Sequence, residues 1–326
     1  MDRIFNLKLA DVLRRNAMKK ILLMLLVLSA CTGHKYATMS ALEFEAIEYG
    51  FPVKKLPGSP EIAYIDAGSG PETLVLIHGL ASNAGFWRYV IPELSKNYRV
   101  IAVDLPGYGK SGKRGFPVSL TYYADQIARL AEELQLGKII PVGHSMGGQI
   151  SMHLALRYPD KVKKLVLASP AGVEKFSAGE GKWLRNVFRI DDLTLASEEA
   201  VRVNLNRNFY TWNNRYEWLV EERVRMAKAA DFDGFANSVI KCVGAMIDEP
   251  TYAKLGDFEH QTLVIYGRHD GLIPNPFLHP GRTSDVFKKG VKAMKNGTLV
   301  EIDKAGHMVQ MEQPDAFVDA VRSFLK

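Results

Sequence analysis

Gly143-His144-Ser145-Met146-Gly147-Gly148 is the stretch on which the reading of this chain turns. A short apolar run, Ile139, Ile140 and Val142, precedes it, and a helix-like stretch over 149–157 follows. A serine flanked by small residues where a strand turns into a helix is held clear of the backbone as an exposed nucleophile. The turn is so tight that side chains two positions either side of the serine would collide, and Gly143 and Gly147 remove them. Gly-x-Ser-x-Gly alone is also met in a merely tight turn. Here strand, elbow and helix come in the order the chemistry needs, and candidate partner residues follow downstream.

Working outward, strand-like runs alternate with helical periods. Strands are predicted over 73–77, 99–103, 138–142 and 164–168, with helices over 86–95, 121–134 and 149–157. Two earlier strand-like stretches, 51–55 and 61–66, flank Pro57-Gly58-Ser59-Pro60 and predict a hairpin. The alternation stops over 172–259, which is helical in pattern and holds no strand run. It resumes with strands over 262–266 and 298–302 and a last helix over 314–325. Strands separated by helices imply parallel pairing with right-handed crossovers. The expectation is an α/β fold: a mostly parallel eight-stranded sheet, helices on both faces and a helical cap insertion. The domain reading is a targeting segment over 1–31, a tether over 32–50 and a core over 51–171 and 260–326, with the cap over 172–259.

Ser145 needs a base, and the base needs an orienting acid. His307, in Asp303-Lys304-Ala305-Gly306-His307, falls just after the last predicted strand. Asp270, in Tyr266-Gly267-Arg268-His269-Asp270, falls just after the strand before it. Loops that follow parallel strands gather at the carboxyl edge of the sheet, where Ser145 also lies. A neutral imidazole can take the serine proton, and a carboxylate fixes its tautomer and stabilises the imidazolium. Two backbone N–H groups are expected to face the oxyanion: Met146, after the serine, and Leu80, in His78-Gly79-Leu80 after the strand 73–77. His78 reads as a structural loop residue. His144 and His269 read as local hydrogen-bond formers.

Other features point to no cofactor. Gly107-Tyr108-Gly109-Lys110-Ser111-Gly112 fits a dinucleotide-type glycine pattern, yet residues 113–117 separate it from any helix. It reads as a turn. The eight histidines form no His-Glu-x-x-His or comparable ligand spacing, so no metal is expected. Cys242, in Val239-Ile240-Lys241-Cys242-Val243, reads as a small buried apolar residue. In the cap, Trp183, Phe188 and Trp212 either line an acyl channel or hold the cap together.

The formal charge is +6, but the first 30 residues hold six Lys/Arg and two Asp/Glu, and removing that +4 leaves +2. The basicity belongs mostly to the N-terminal segment, so no nucleic-acid partner is expected. Lys19 and Lys20 precede the apolar run 21–28, which ends Leu28-Ser29-Ala30-Cys31. The run is too short for a bilayer span, which takes roughly 20 apolar residues. Its order of charge, apolar run and small residues is that of a signal segment, and its ending resembles a bacterial lipobox. Cys31 is then the lipid-attachment site, with the membrane as partner and the cell envelope as location. Thr32 after the cysteine favours the outer membrane where the host has one. An ordinary secretory signal is the alternative, and translation starts at Met1 or at Met18.

Together, His78-Gly79-Leu80, residues 104–111, Gly143 to Gly148, Gly267 to Asp270 and Gly306-His307 resemble the α/β-hydrolase superfamily, over roughly residues 50–326. Within it the chain resembles lipid-anchored bacterial lipases and esterases with a Gly-x-Ser-Met-Gly-Gly elbow. It is also similar to hydrolases of carbon–carbon bonds in ring-cleavage products. Epoxide hydrolases and haloalkane dehalogenases place Asp where Ser145 stands. The resemblance implies a carboxylic ester hydrolase without cofactor, acting on an acyl lipid or medium-chain ester through an acyl-enzyme. The alternatives are a carbon–carbon hydrolase, a thioesterase, or a non-catalytic hydrolase-fold binding protein.

Overall fold

The computed structural model describes residues 35–326. The signal segment and Cys31 lie outside the described residues. The eight strands are β1 (Val53–Leu56), β2 (Ile62–Ala67), β3 (Thr73–Ile77), β4 (Arg99–Val103), β5 (Ile139–His144), β6 (Leu165–Ala168), β7 (Thr262–Gly267) and β8 (Gly297–Ile302). They form one sheet in the order β1-β2-β4-β3-β5-β6-β7-β8. The link between β1 and β2 is too short for a crossover, so the two pair antiparallel. β2 also runs antiparallel to β4, and every pairing from β4 to β8 is parallel. All residues of β3, β5, β6 and β7 are buried, as strands covered by helices on both faces must be.

Helices of nine residues or more are α1 (Leu120–Glu133), α2 (Met146–Arg157), α3 (Ala178–Val187), α4 (Glu198–Asn206), α5 (Glu217–Met226), α6 (Phe232–Asp248), α7 (Thr283–Ala293) and α8 (Pro314–Leu325). α1 begins where the Ser119 side chain accepts the Tyr122 N–H at 3.0 Å, satisfying one of its free first-turn donors. Its apolar stripe, Leu120, Tyr123, Ala124, Ile127, Leu130 and Ala131, faces the sheet.

α3 to α6 all fall between β6 and β7 and form the cap. Two hydrophobic clusters attach it. α6 sends Phe235, Val239 and Cys242 into the main core, where the Phe235 and Tyr108 rings meet edge to face at 5.7 Å. α4 and α5 bury Val201, Leu205, Leu219 and Val220 in a second cluster with Phe86, Met308 and Met311. Phe86 follows β3 and Met308 follows His307, so this second cluster lies at the carboxyl edge of the sheet. Cys242 is fully buried, and burial raises its thiol pKa to about 11. It stays a protonated, core-filling group.

Several details depart from the sequence reading. The helix expected over 86–95 is instead a 3-10 turn, Ala84–Trp87, and a short helix, Ile91–Leu94. Pro92 has no N–H to continue a helix and so sits at the start of a new one. α2 begins at Met146, directly after the serine, and not at residue 149. α7 was not anticipated, although Val286, Phe287, Gly290 and Val291 carry a helical period. The stretch read as a tether packs onto the body from Tyr36 onward, with Phe44, Ile47 and Tyr49 buried. Among the described residues no helix is long and apolar enough to cross a membrane.

Candidate active site

Ser145 stands between β5 and α2 with φ 51° and ψ −117°, a backbone geometry that L-residues avoid. Its N–H donates to Ala168 O at 3.0 Å, and its carbonyl accepts the N–H groups of Gly148 and Ala171, so the strained turn is held from three sides. The two glycines explain themselves by contact. A Cβ on Gly143 would lie 2.2 Å from Gly147 O, and one on Gly147 would lie 2.2 Å from Ile77 O. Ser145 is partly exposed, while its neighbours Gly143, His144, Met146 and Gly147 are buried. The elbow thus presents one side chain and hides the rest.

His307 and Asp270 come from the loops after β8 and β7 and meet at the same edge. His307 Nδ1 donates to Asp270 Oδ2 at 2.8 Å, with both side chains almost fully buried. Asp270 Oδ1 is held by the Leu272 and Ile273 N–H groups at 2.8 and 3.2 Å. The carboxylate therefore has fixed partners on both oxygens, which leaves His307 Nε2 as the free ring nitrogen. His144, next to Ser145, ties this pair to the elbow. Its Nε2 donates to His307 O at 3.0 Å, and the two rings lie 4.9 Å apart.

The loop after β3 closes the other side. A Cβ on Gly79 would sit 3.1 Å from Ser145 Cβ, so only glycine lets this backbone approach so closely. Among the described residues the Leu80 N–H has no hydrogen-bond acceptor. Met146, the first residue of α2, has an N–H with no intrahelical partner. His78 is a loop fastener, with Nε2 accepting the Leu105 N–H at 3.1 Å and Nδ1 donating to Gly79 O at 2.7 Å. His269 stacks on Tyr210 at 4.1 Å. Trp212 packs edge to face on Phe209 at 5.3 Å within the cap, while Trp183 and Phe188 are exposed on α3 and just after it. Two surface cavities of about 320 and 340 Å³ lie elsewhere; the first is lined by Lys113 and Asn237, the second by His153 and Glu249. Neither includes Ser145, Asp270 or His307.

Three buried carboxyl groups hold the surrounding loops; Asp104 heads the 104–111 stretch, and Glu222 and Glu312 carry no motif of their own. Asp104 is fully buried and accepts from Tyr49 Oη, Ala84 N and Lys110 N at 2.8, 2.7 and 2.7 Å. The glycine-rich turn 107–112 wraps this carboxylate: Gly109 has φ 45°, and a Cβ there would lie 2.2 Å from Asp104 Cγ. Glu312 accepts the Gly306 N–H at 2.6 Å and the Tyr210 N–H at 2.8 Å, joining the His307 loop to the cap. Glu222, on α5, accepts from Asn83 Nδ2 at 2.6 Å.

Burial lowers the His144 pKa to about 3 and the His78 pKa to about 4, so both rings are neutral. In the unfolded chain each takes a proton below about pH 6.5. Folded, they refuse it until far lower pH, so their contribution to stability is present above pH 6.5 and is lost as the pH falls. Between pH 7 and pH 5, wild type should lose about 2 kcal/mol more than His144→Asn. Urea unfolding of the two proteins at both pH values measures this, and equal losses would mean that His144 is not held neutral. Glu222 titrates in the opposite sense, so the comparison is made between the two proteins, where it cancels.

An elbow serine, a buried His–Asp pair and two free N–H groups at the carboxyl edge of an eight-stranded sheet are the parts of a hydrolase. A family model for the alpha/beta hydrolase fold matches residues 72–314, and the chain belongs to that family. It is 31% identical over 278 residues to a 2-hydroxy-6-oxononadienedioate/2-hydroxy-6-oxononatrienedioate hydrolase of Pseudomonas putida, spanning 81% of this chain and 91% of that one. Among solved structures it resembles a probable hydrolytic enzyme of Pseudomonas aeruginosa, with TM-score 0.78, 26% identity and coverage of 88% and 99%. It also resembles a meta-cleavage product hydrolase of Pseudomonas fluorescens, with TM-score 0.67, 26% identity and coverage of 83% and 97%.

Proposed function

We propose that this chain is a serine hydrolase that cleaves a bond at a carbonyl carbon, with Ser145 as nucleophile, His307 as base and Asp270 as orienting acid. The observation that carries this reading is the buried His307 Nδ1–Asp270 Oδ2 hydrogen bond at the edge where the elbow presents Ser145. Ser145 Oγ adds to the carbonyl carbon as its proton passes to His307 Nε2. The Leu80 and Met146 N–H groups receive the developing oxyanion. Collapse of the adduct releases the leaving group, which takes the proton from His307. Water, deprotonated by His307, then releases the acid and regenerates Ser145. The balance is one water consumed, one acid formed and one protonated leaving group.

For the bond cleaved, the ring-cleavage reading comes first. The Pseudomonas putida relative is named for an oxo-dienedioate, a ketone flanked by carbon, and the similarity spans most of both chains. The leaving group is then a carbon acid, and the proton from His307 forms a C–H bond. Ester hydrolysis is the second reading, supported by the resemblance of the Gly143–Gly148 elbow and the Leu28-Ser29-Ala30-Cys31 ending to lipid-anchored bacterial lipases and esterases. The leaving group is then an alcohol. Loss of the visible absorbance of a 2-hydroxy-6-oxo-dienoate, measured beside release from p-nitrophenyl esters of rising chain length, separates the two. Turnover at least tenfold faster on the dienoate supports the first reading, and turnover confined to esters overturns it.

Attachment through Cys31 is part of the proposal, motivated by Lys19, Lys20, the apolar run and Leu28-Ser29-Ala30-Cys31. A diacylated cysteine gives stable anchoring where one chain is marginal. Cys31→Ser should abolish incorporation of labelled fatty acid into the protein. Equal incorporation in mutant and wild type would rule the anchor out.

A further inference from the structure

The loop over 78–83, which carries the Leu80 N–H, has two side-chain hydrogen bonds of its own, His78 Nδ1 to Gly79 O and Ser82 Oγ to Leu80 O, and neither reaches Ala81. Ala81 has φ 54°, a left-handed conformation that an L-residue adopts only when its surroundings impose it. The contacts on Ala81 O and on the Asn83 amide nitrogen come from the cap. Arg223 Nη2, on α5, donates to Ala81 O. The residue before it, Glu222, accepts Asn83 Nδ2 at 2.6 Å, and Asn83 and Glu222 are both buried. Asn83 Oδ1 in turn accepts the Gly85 N–H at 2.9 Å, which starts the 3-10 turn leading away from the loop. The guanidinium of Arg223 is backed by the Phe235 ring of α6, 5.4 Å from its centroid.

We infer that Glu222 and Arg223 are positioning residues, a two-point clamp by which cap helix α5 holds the 78–83 loop so that the Leu80 N–H faces the oxyanion. This rests on the proposed role of Ser145 and adds a device to it. The contacts bracket Leu80 closely: Arg223 fixes the next carbonyl in the chain, and Glu222 fixes a side chain three residues on. Without them Ala81 relaxes to an ordinary negative φ, which rotates the peptide planes beside it and turns the Leu80 N–H away. The cap then supplies electrophilic geometry as well as cover. A cap that shifts on α5 releases the oxyanion donor with it.

Other groups face this clamp and set its electrostatics. Arg88, from the turn after the 78–83 loop, and Asp104, after β4, both act on Glu222, and Arg223 lies beside it. Glu222 is raised to about 7, burial being the largest cause. Neutral or ionised, its oxygen still accepts from Asn83, so the grip itself does not require charge.

Rates of covalent labelling by a fluorophosphonate test the clamp without knowledge of the natural substrate, because attack on phosphorus builds the same oxyanion. Full-length wild type, Arg223→Met, Arg223→Lys and Glu222→Ala are compared for maximal labelling rate and for the reagent concentration giving half that rate. Arg223→Met is expected to lower the maximal rate about 10- to 100-fold, less than the roughly 10²- to 10³-fold cost of removing an oxyanion donor, because the donor is turned away and not deleted. The half-saturating concentration should stay within about twofold, since ground-state binding does not use the donor. Arg223→Lys should recover most of the rate, and Glu222→Ala should show the same rate-only loss at smaller size. If Arg223→Met does not fold, the Glu222→Ala result decides. A folded Arg223→Met or Glu222→Ala that labels at the wild-type rate overturns the clamp, as does a loss shared equally by rate and half-saturation. Wild type that is not labelled at all would instead overturn the proposed role of Ser145.

Discussion

Ser145→Ala should leave a folded protein whose turnover has fallen about 10⁶-fold, because nucleophile and base act as a unit and losing either removes nearly the whole effect. The fold should survive for a structural reason. The strained backbone at Ser145 is held by hydrogen bonds from its own N–H and carbonyl, which alanine retains. The hydroxyl makes no hydrogen bond among the described residues that would be lost with it. His307→Ala should fall nearly as far in turnover. A steady-state comparison on the best substrate found measures both. Ser145→Ala within about tenfold of wild type would mean that the hydroxyl is not the attacking group.

Asp270→Asn is expected to lower kcat by about 10⁴-fold while leaving the loop in place. Asp270 Oδ1 accepts two backbone N–H groups, and an amide oxygen can accept the same pair. The amide nitrogen then faces His307 Nδ1, where it can only donate. That forces the proton onto Nε2, the nitrogen that must be empty to take one from Ser145. The defect is one of tautomer and not of geometry, so circular dichroism and thermal midpoint should stay close to wild type. Near-wild-type turnover would show that another carboxylate orients His307. Glu312 is the buried carboxyl group nearest to His307 in sequence, but both its oxygens are already committed to backbone N–H groups.

The meeting of Ser145, His307 and Asp270 at one sheet edge was legible in the sequence because the proposed reaction demands particular residue types in a particular order. Ser145 announces itself through Gly143 and Gly147, and His307 and Asp270 through their places after predicted strands. The eight strands were equally legible, since apolar runs such as Leu74–Ile77 and Leu263–Ile265 leave few alternatives. The boundary of α2 was not, because a helix that begins on a strained serine has no ordinary cap to mark it. Glu222, Arg223 and Glu312 were invisible for a different reason. Each binds backbone or side-chain groups distant in sequence, and nothing local records the partner. The exposed Trp183 and Phe188 show the same limit from the other side. Their helical spacing fixed a face but not what that face meets.

The most direct test of the central claim is to locate the covalent adduct by mass. Wild-type protein treated with a fluorophosphonate, digested and sequenced by tandem mass spectrometry should carry one label, on Ser145. His307→Ala should be labelled far more slowly at the same residue, since its hydroxyl keeps its proton. Label on any other residue, or label that persists unchanged in Ser145→Ala, would contradict the account.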